Sequence, residues 1–168
     1  MDARELLADL FGRIPDHVEE AVDGLGVEDL TATVVPGTNS IAWLIWHLTR
    51  VQDAHMAELL EKDQVWAEGD WARRCGVEPD PSNTGYGHDP ADVAAIRPDG
   101  PEVLVDYYRA VAARTDAFIG GLGPDDLEEV VDERWDPPVT LGVRLISIAD
   151  DDIQHAGQAA YLRGLLRR

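Results

Sequence analysis

Apolar residues recur at the three- and four-residue spacing of helices over most of the chain. Leu6, Leu7, Leu10, Phe11 and Ile14, followed by Val18, Ala21 and Val22, predict an amphipathic first helix from about Arg4 to Asp23. Pro15 lies inside it and is expected to kink or restart it. Gly24-Leu25-Gly26 stops that helix, and a polar connection leads to Pro36-Gly37. Thr38-Asn39-Ser40 offers side-chain oxygens for an N-cap. Ile41 to Leu60 then reads as the second helix, with Trp43, Leu44, Leu48, Val51 and Leu59 as its buried stripe. His47 falls within the stripe, whereas Arg50, Gln52 and Asp53 lie beside or behind it.

Lys62 to Gly100 is the least regular stretch. Asp89-Pro90 resembles a cap followed by proline at the first helical position, which predicts a short helix over Ala91 to Ile96. A connection this long is usually functional or disordered, and Trp66 and Trp71 argue for packing over a pocket. Pro101 opens a third helix to about Gly120, with Val103, Leu104, Tyr107, Val111 and Phe118 inward. Thr140 is the expected N-cap of a fourth, running to about Arg163 and followed by Gly164 and terminal arginines. Gly121-Leu122-Gly123 before Asp126-Leu127 echoes Gly24-Leu25-Gly26 before Asp29-Leu30. This echo suggests two helical pairs about a pseudo-twofold axis, with the second and fourth helices meeting in the middle. With no alternating strand pattern, the fold class is all-α: a four-helix bundle with a long connection between helices 2 and 3.

The length of 168 residues and 45% hydrophobic content fit a single domain over residues 1–168 with a substantial core. No apolar run approaches the roughly 20 residues of a membrane span, and the N-terminus lacks the pattern of a signal peptide. A cytoplasmic protein without a membrane partner is therefore expected. The 33 acidic residues against 14 basic ones give a net charge of −19. That charge repels phosphate backbones, so nucleic acid is not an expected partner. Cys75 is the only cysteine, which excludes an intrachain disulfide and a Cys-rich zinc site. It is read as an unremarkable loop thiol, because nothing around it would activate a nucleophile.

Any metal must then be held by histidine and carboxylate. Asp151 and His155 stand four residues apart on the fourth helix and point the same way. The inward arc around His155 contains Ile148, Asp151, Ala159, Leu162 and Leu166. Asp152 lies on the flank of that arc, as a substitute ligand or outer-shell group, and Asp150 points away. A carboxylate among apolar residues needs a partner. A shared metal supplies one, and so does a plain Asp151–His155 hydrogen bond; spacing serves both readings equally. A lone histidine on an apolar face is as a rule a satisfied core residue, but His47 sits on the partner helix of the apparent repeat. Three converging ligands, His47, Asp151 and His155, would leave coordination positions open for chemistry. Zinc is the first choice of divalent metal, with nickel or iron as alternatives. Of the remaining histidines, His55 is expected at the surface or rim and His17 in a turn without a catalytic role, while His88 is read as an exposed loop histidine ahead of the alternative that it reaches over the pocket.

Two stretches carry a family resemblance: Asn39-Ser40-Ile41-Ala42-Trp43-Leu44-Ile45-Trp46-His47-Leu48-Thr49-Arg50-Val51-Gln52-Asp53 and Asp151-Asp152-Ile153-Gln154-His155-Ala156-Gly157-Gln158-Ala159-Ala160-Tyr161-Leu162-Arg163-Gly164. In both, the chain resembles the DinB/YfiT-like superfamily of metal-binding four-helix bundles, and Pro137-Pro138-Val139-Thr140 resembles the lead into the last helix of actinobacterial members. The resemblance implies a metal triad that maps to His47, Asp151 and His155. Many members have histidine where Asp151 stands, while others, mycothiol-dependent maleylpyruvate isomerases among them, have a carboxylate. It further implies a low-molecular-weight thiol such as mycothiol, a small electrophile, transfer or isomerisation chemistry, and a homodimer.

The leading expectation is a metal-dependent thiol S-transferase whose long connection shapes the electrophile pocket. Arg50 and Tyr86 stand as candidate substrate contacts, each weighed against a structural role. Metal-assisted hydrolysis stays open as a second enzymatic reading, and a non-catalytic, dimeric helical binding or stress protein as a third.

Overall fold

Ser40 and Thr140 start the two helices that build the site. In the computed structural model, which describes residues 1–167, Ser40 Oγ accepts from the Trp43 amide at 3.1 Å and Thr140 Oγ1 from the Val143 amide at 3.4 Å. Each such cap contributes about 1 kcal/mol. Asp2 and Glu5 form a reciprocal capping box on the first helix, as Asp89 and Asp92 do on a short one.

The long helices are α1 (Ala3–Val22), α3 (Ile41–Leu60), α7 (Pro101–Gly120) and α8 (Leu141–Leu166). Short helices lie between them: α2 (Val27–Leu30), α4 (Val65–Glu68), α5 (Trp71–Arg74) and α6 (Pro90–Ala95). The second and third predicted helices match α3 and α7 in their bounds, and the fourth extends beyond Arg163 to Leu166. Helix α1 runs through Pro15, with Ile14 and Val18 fully buried on either side of it.

Helix α3 packs most extensively on α8, α1 packs on both α7 and α8, and α3 also lies on α7. Helices α1 and α3 touch little, so they face each other across the bundle. The core between the four is made by Ile14 and Val18 of α1, Leu44, Ile45 and Leu48 of α3, Val103 and Val111 of α7, and Leu145 and Ile148 of α8. The expected meeting of the second and fourth helices is therefore the largest helix contact in the molecule.

The long connection is more ordered than its sequence suggests, because a buried carboxylate anchors it. Asp53, placed beside or behind the stripe by its spacing, is wholly buried together with Arg50 and Gln52. Its two oxygens accept from the Val65 and Trp66 amides at 2.9 and 2.8 Å, so Asp53 satisfies the otherwise unpaired first amides of α4. The Tyr107 hydroxyl donates to it at 2.7 Å, and the Arg50 guanidinium lies 3.6 Å away. Trp66 in turn packs under Arg50, 4.6 Å from ring centroid to guanidinium carbon.

A small hairpin was not expected. Strands β1 (Val130–Asp132) and β2 (Val139–Thr140) pair antiparallel, with Val130 opposite Thr140 and an irregularity before Asp132. Strands this short carry too few residues for an alternation pattern to show.

Candidate metal centre

Helical register brings His47 of α3 against Asp151 and His155 of α8. One ligand atom from each residue lies within 4.8 Å of the others, near enough for one cation to touch all three. The two imidazole centroids are 4.9 Å apart, and His155 Nε2 stands 3.5 Å from Asp151 Oδ1.

The outer nitrogen of each imidazole is occupied. His47 Nδ1–H donates to the Thr84 carbonyl at 2.5 Å, and His155 Nδ1–H donates to Gln158 Oε1 at 3.0 Å. A carbonyl oxygen can only accept, so each ring carries a proton on Nδ1 and leaves Nε2 as the atom that a cation would take. This is the arrangement that fixes tautomer and orientation in metal-binding histidines. Burial holds the His47 imidazole below its ordinary pKa, which keeps it neutral. The hydrogen bond with Asp151 raises that of His155, so the carboxylate favours positive charge at that nitrogen. The donor set of two imidazoles and one carboxylate fits zinc, nickel or iron. Asp151 Oδ2, buried without a hydrogen-bond partner, is a further acceptor that a cation would satisfy.

The loop from Asn83 to His88 closes the centre. Gly85 takes φ +92°, and a Cβ there would sit 2.8 Å from His47 Nδ1 and 3.0 Å from the Trp46 ring. Only glycine lets the backbone approach so closely in that conformation. His88 accepts from the Trp43 indole N–H at 3.0 Å through Nδ1, donates to Asn83 Oδ1 at 2.8 Å through Nε2, and stacks on Trp46. Trp43 stacks on His47 at 4.4 Å.

Several expectations change here. His88 is not an exposed loop histidine; both its nitrogens lock the loop onto the aromatic floor. Asp152, not Asp151, is the carboxylate sunk in the core. It is fully buried with neither oxygen hydrogen-bonded, and burial pushes its carboxyl well above the ordinary range. It lies outside the converging group. Arg50 lies inside the fold. It is wholly buried, donating to the carbonyls of Asn83 and Pro81 at 3.1 and 2.9 Å, and so supports the loop that carries Thr84. Tyr86 projects outward, 95% exposed. Cys75 is buried, and desolvation pushes its thiol up to about 12, which leaves it unreactive. His55 lies at a rim, as expected, beside Arg144.

Thr84, Gly85 and Gln158 went unnoticed in the sequence. The signal for the loop was there: two glycines, an asparagine and a histidine in Asn83-Thr84-Gly85-Tyr86-Gly87-His88 mark close backbone approach.

The mycothiol S-transferase family model matches residues 6–168. A crystal structure of a conserved protein from Enterococcus faecalis superposes with a TM-score of 0.88 at 29% identity, over 97% of this chain and 96% of that one. Among curated proteins none matches. No helix among the described residues is long and apolar enough to cross a membrane. The near-complete family match and the shared all-helical fold agree: the chain belongs to the mycothiol S-transferase family, within the DinB/YfiT-like superfamily.

Proposed function

We propose that the chain is a metal-dependent thiol S-transferase that uses mycothiol and a small electrophile, with His47, Asp151 and His155 as the metal ligands. The observation that carries this reading is the pair of Nδ1–H hydrogen bonds, to Thr84 and Gln158, which leave both Nε2 atoms free in a group where one ligand atom each of His47, Asp151 and His155 lies within 4.8 Å of the others. Zinc is the proposed metal. When bound, it would supply a Lewis acid that lowers the pKa of a substrate thiol. The residues themselves hold the donor set, with three protein ligands leaving room for a fourth. Trp43 and the Asn83–His88 loop wall the centre on one side and limit water there.

The same reading proposes a cytoplasmic homodimer. Leu6, Val143 and Ile146, exposed along a groove between α1 and α8, support a second copy as its occupant, and light scattering tests the mass.

The function is tested by metal analysis of protein purified without a His tag, followed by turnover of a test electrophile with and without mycothiol. One zinc per chain, lost in His47→Ala, and turnover that requires the thiol are the expected results. Turnover independent of thiol would mean hydrolysis instead. Absence of stoichiometric metal from the parent protein would end the metalloenzyme reading.

A further inference from the structure

The seam that holds the triad continues. His47, Val51 and His55 stand at i, i+4 and i+8 on α3, while His155, Asp151, Ile148 and Arg144 descend α8 beside them. The contacts at both ends, His47 with His155 and His55 with Arg144, show the helices running antiparallel. Helix rise places His55 and Arg144 about 10 to 12 Å from the triad.

At that distance a cavity of about 390 Å³ opens, lined by His55, Asp132, Arg134, Trp135 and Arg144. The size falls within the range of small-ligand sites. Its polar groups are already matched to one another. Asp132 accepts from Arg134 Nε and Nη2 at 2.8 Å each and from Arg144 Nη2 at 2.7 Å, and Arg134 lies 3.5 Å from Glu58. Arg144 donates to His55 Nδ1 at 3.0 Å, which leaves the His55 proton on Nε2. Burial and the adjacent Arg144 hold this imidazole below its ordinary pKa, so it is neutral at pH 7. Trp135 stands at the rim with 66% of its surface exposed.

This is a poor site for an anion. Both guanidiniums are paired with carboxylates, and a ligand anion would meet Asp132 and Glu58 in a chain of net charge −19. It suits a neutral group whose hydroxyls accept, since His55 Nε2 and the guanidinium N–H groups not spent on Asp132 donate. The indole adds an apolar face for the carbon skeleton of a ring.

We propose that this cavity binds a neutral, hydroxyl-bearing ring, and that it holds the sugar–cyclitol end of the thiol while the sulfur reaches the triad. The proposal rests on the thiol-transferase reading above. It predicts that mycothiol binds more tightly than a short thiol such as N-acetylcysteine, because only a molecule that spans the seam contacts both ends.

Calorimetric titration of the zinc-loaded full chain tests it, with mycothiol, its thiol-free sugar–cyclitol half and N-acetylcysteine as probes. Trp135→Ala is expected to weaken mycothiol and the thiol-free half by about five- to tenfold, as loss of an aromatic contact does. Trp135→Phe should restore most of that, and N-acetylcysteine should bind parent and variants alike. Because Trp135 is exposed, an unchanged melting temperature is expected to accompany these results. Mycothiol binding undiminished in Trp135→Ala overturns this inference and leaves the transferase reading standing. Failure of mycothiol to bind the zinc-loaded parent overturns both.

Discussion

His47 and His155 are set by what their outer nitrogens touch. The Thr84 carbonyl fixes one ring and the Gln158 amide oxygen the other. Thr84 acts through its backbone, so Gln158 is the partner that substitution can remove. Gln158→Ala should reduce zinc affinity by about 10- to 100-fold, measured by competition with a chromophoric chelator. Because Gln158 is exposed, metal-free stability should change by no more than about 0.5 kcal/mol. Unchanged affinity would mean that Gln158 does not orient the ring. The ligand candidates were legible in sequence because helical spacing converts directly into a shared face. The partners were not. Thr84 lies 37 residues from His47, and His88 lies 45 from Trp43. No local pattern announces such contacts. The distinction between Asp151 and Asp152 also failed at this scale, because adjacent positions on a helix differ by about 100° and the width of the buried arc depends on the neighbouring helices.

Elements long enough to show a period were legible, and α3 and α7 have the bounds expected of them. Helices α2, α4 and α5 have four residues each, too few for a period, and they exist because tertiary contacts hold them. Asp53 is the clearest case. Asp53→Ala removes the acceptor for two α4 amides and for Tyr107, and it leaves Arg50 buried without its ion pair. A loss of about 3–5 kcal/mol is expected in denaturant unfolding. A loss below about 1 kcal/mol, the value of an exposed pair, would show that Arg50 is satisfied by the loop carbonyls alone.

The hairpin gives a pH-dependent counterpart. Hydrogen bonds from Arg134, joined by Arg144, hold the Asp132 carboxyl well below the usual range. In the unfolded chain it titrates at about 3.9. Its contribution is therefore complete above that pH and drains away as pH falls toward the folded value. Asp132→Asn should lower the melting temperature at pH 7 and reduce the part of the acid destabilisation that develops below about pH 4. Parallel melting curves for parent and variant across that range would remove Asp132 as a cause.

For the whole molecule, the proposed metal ligands come from α3 and α8, whose contact is the largest between helices. An ion bound only to the folded chain stabilises it by about 2.7 kcal/mol at a hundredfold excess over Kd. For a chain of this size that corresponds to about 5–10 °C. Chelation should lower the melting temperature of the parent by that amount and leave His47→Ala unchanged, as read by calorimetry. Equal melting with and without chelator would show that the centre does not couple to folding.

The sequence by itself determined that the chain is helical, where its long helices run, and which three side chains could share a cation. Those properties follow from the 3.6-residue period and from capping chemistry, which act within a few residues. Only the tertiary structure decided which carboxylate enters the core, what locks the two imidazoles, how Asp53 and Arg50 order the connection, and where the hairpin closes the seam. Each of these depends on groups brought together across tens of residues, and the packing of the four helices alone sets that distance.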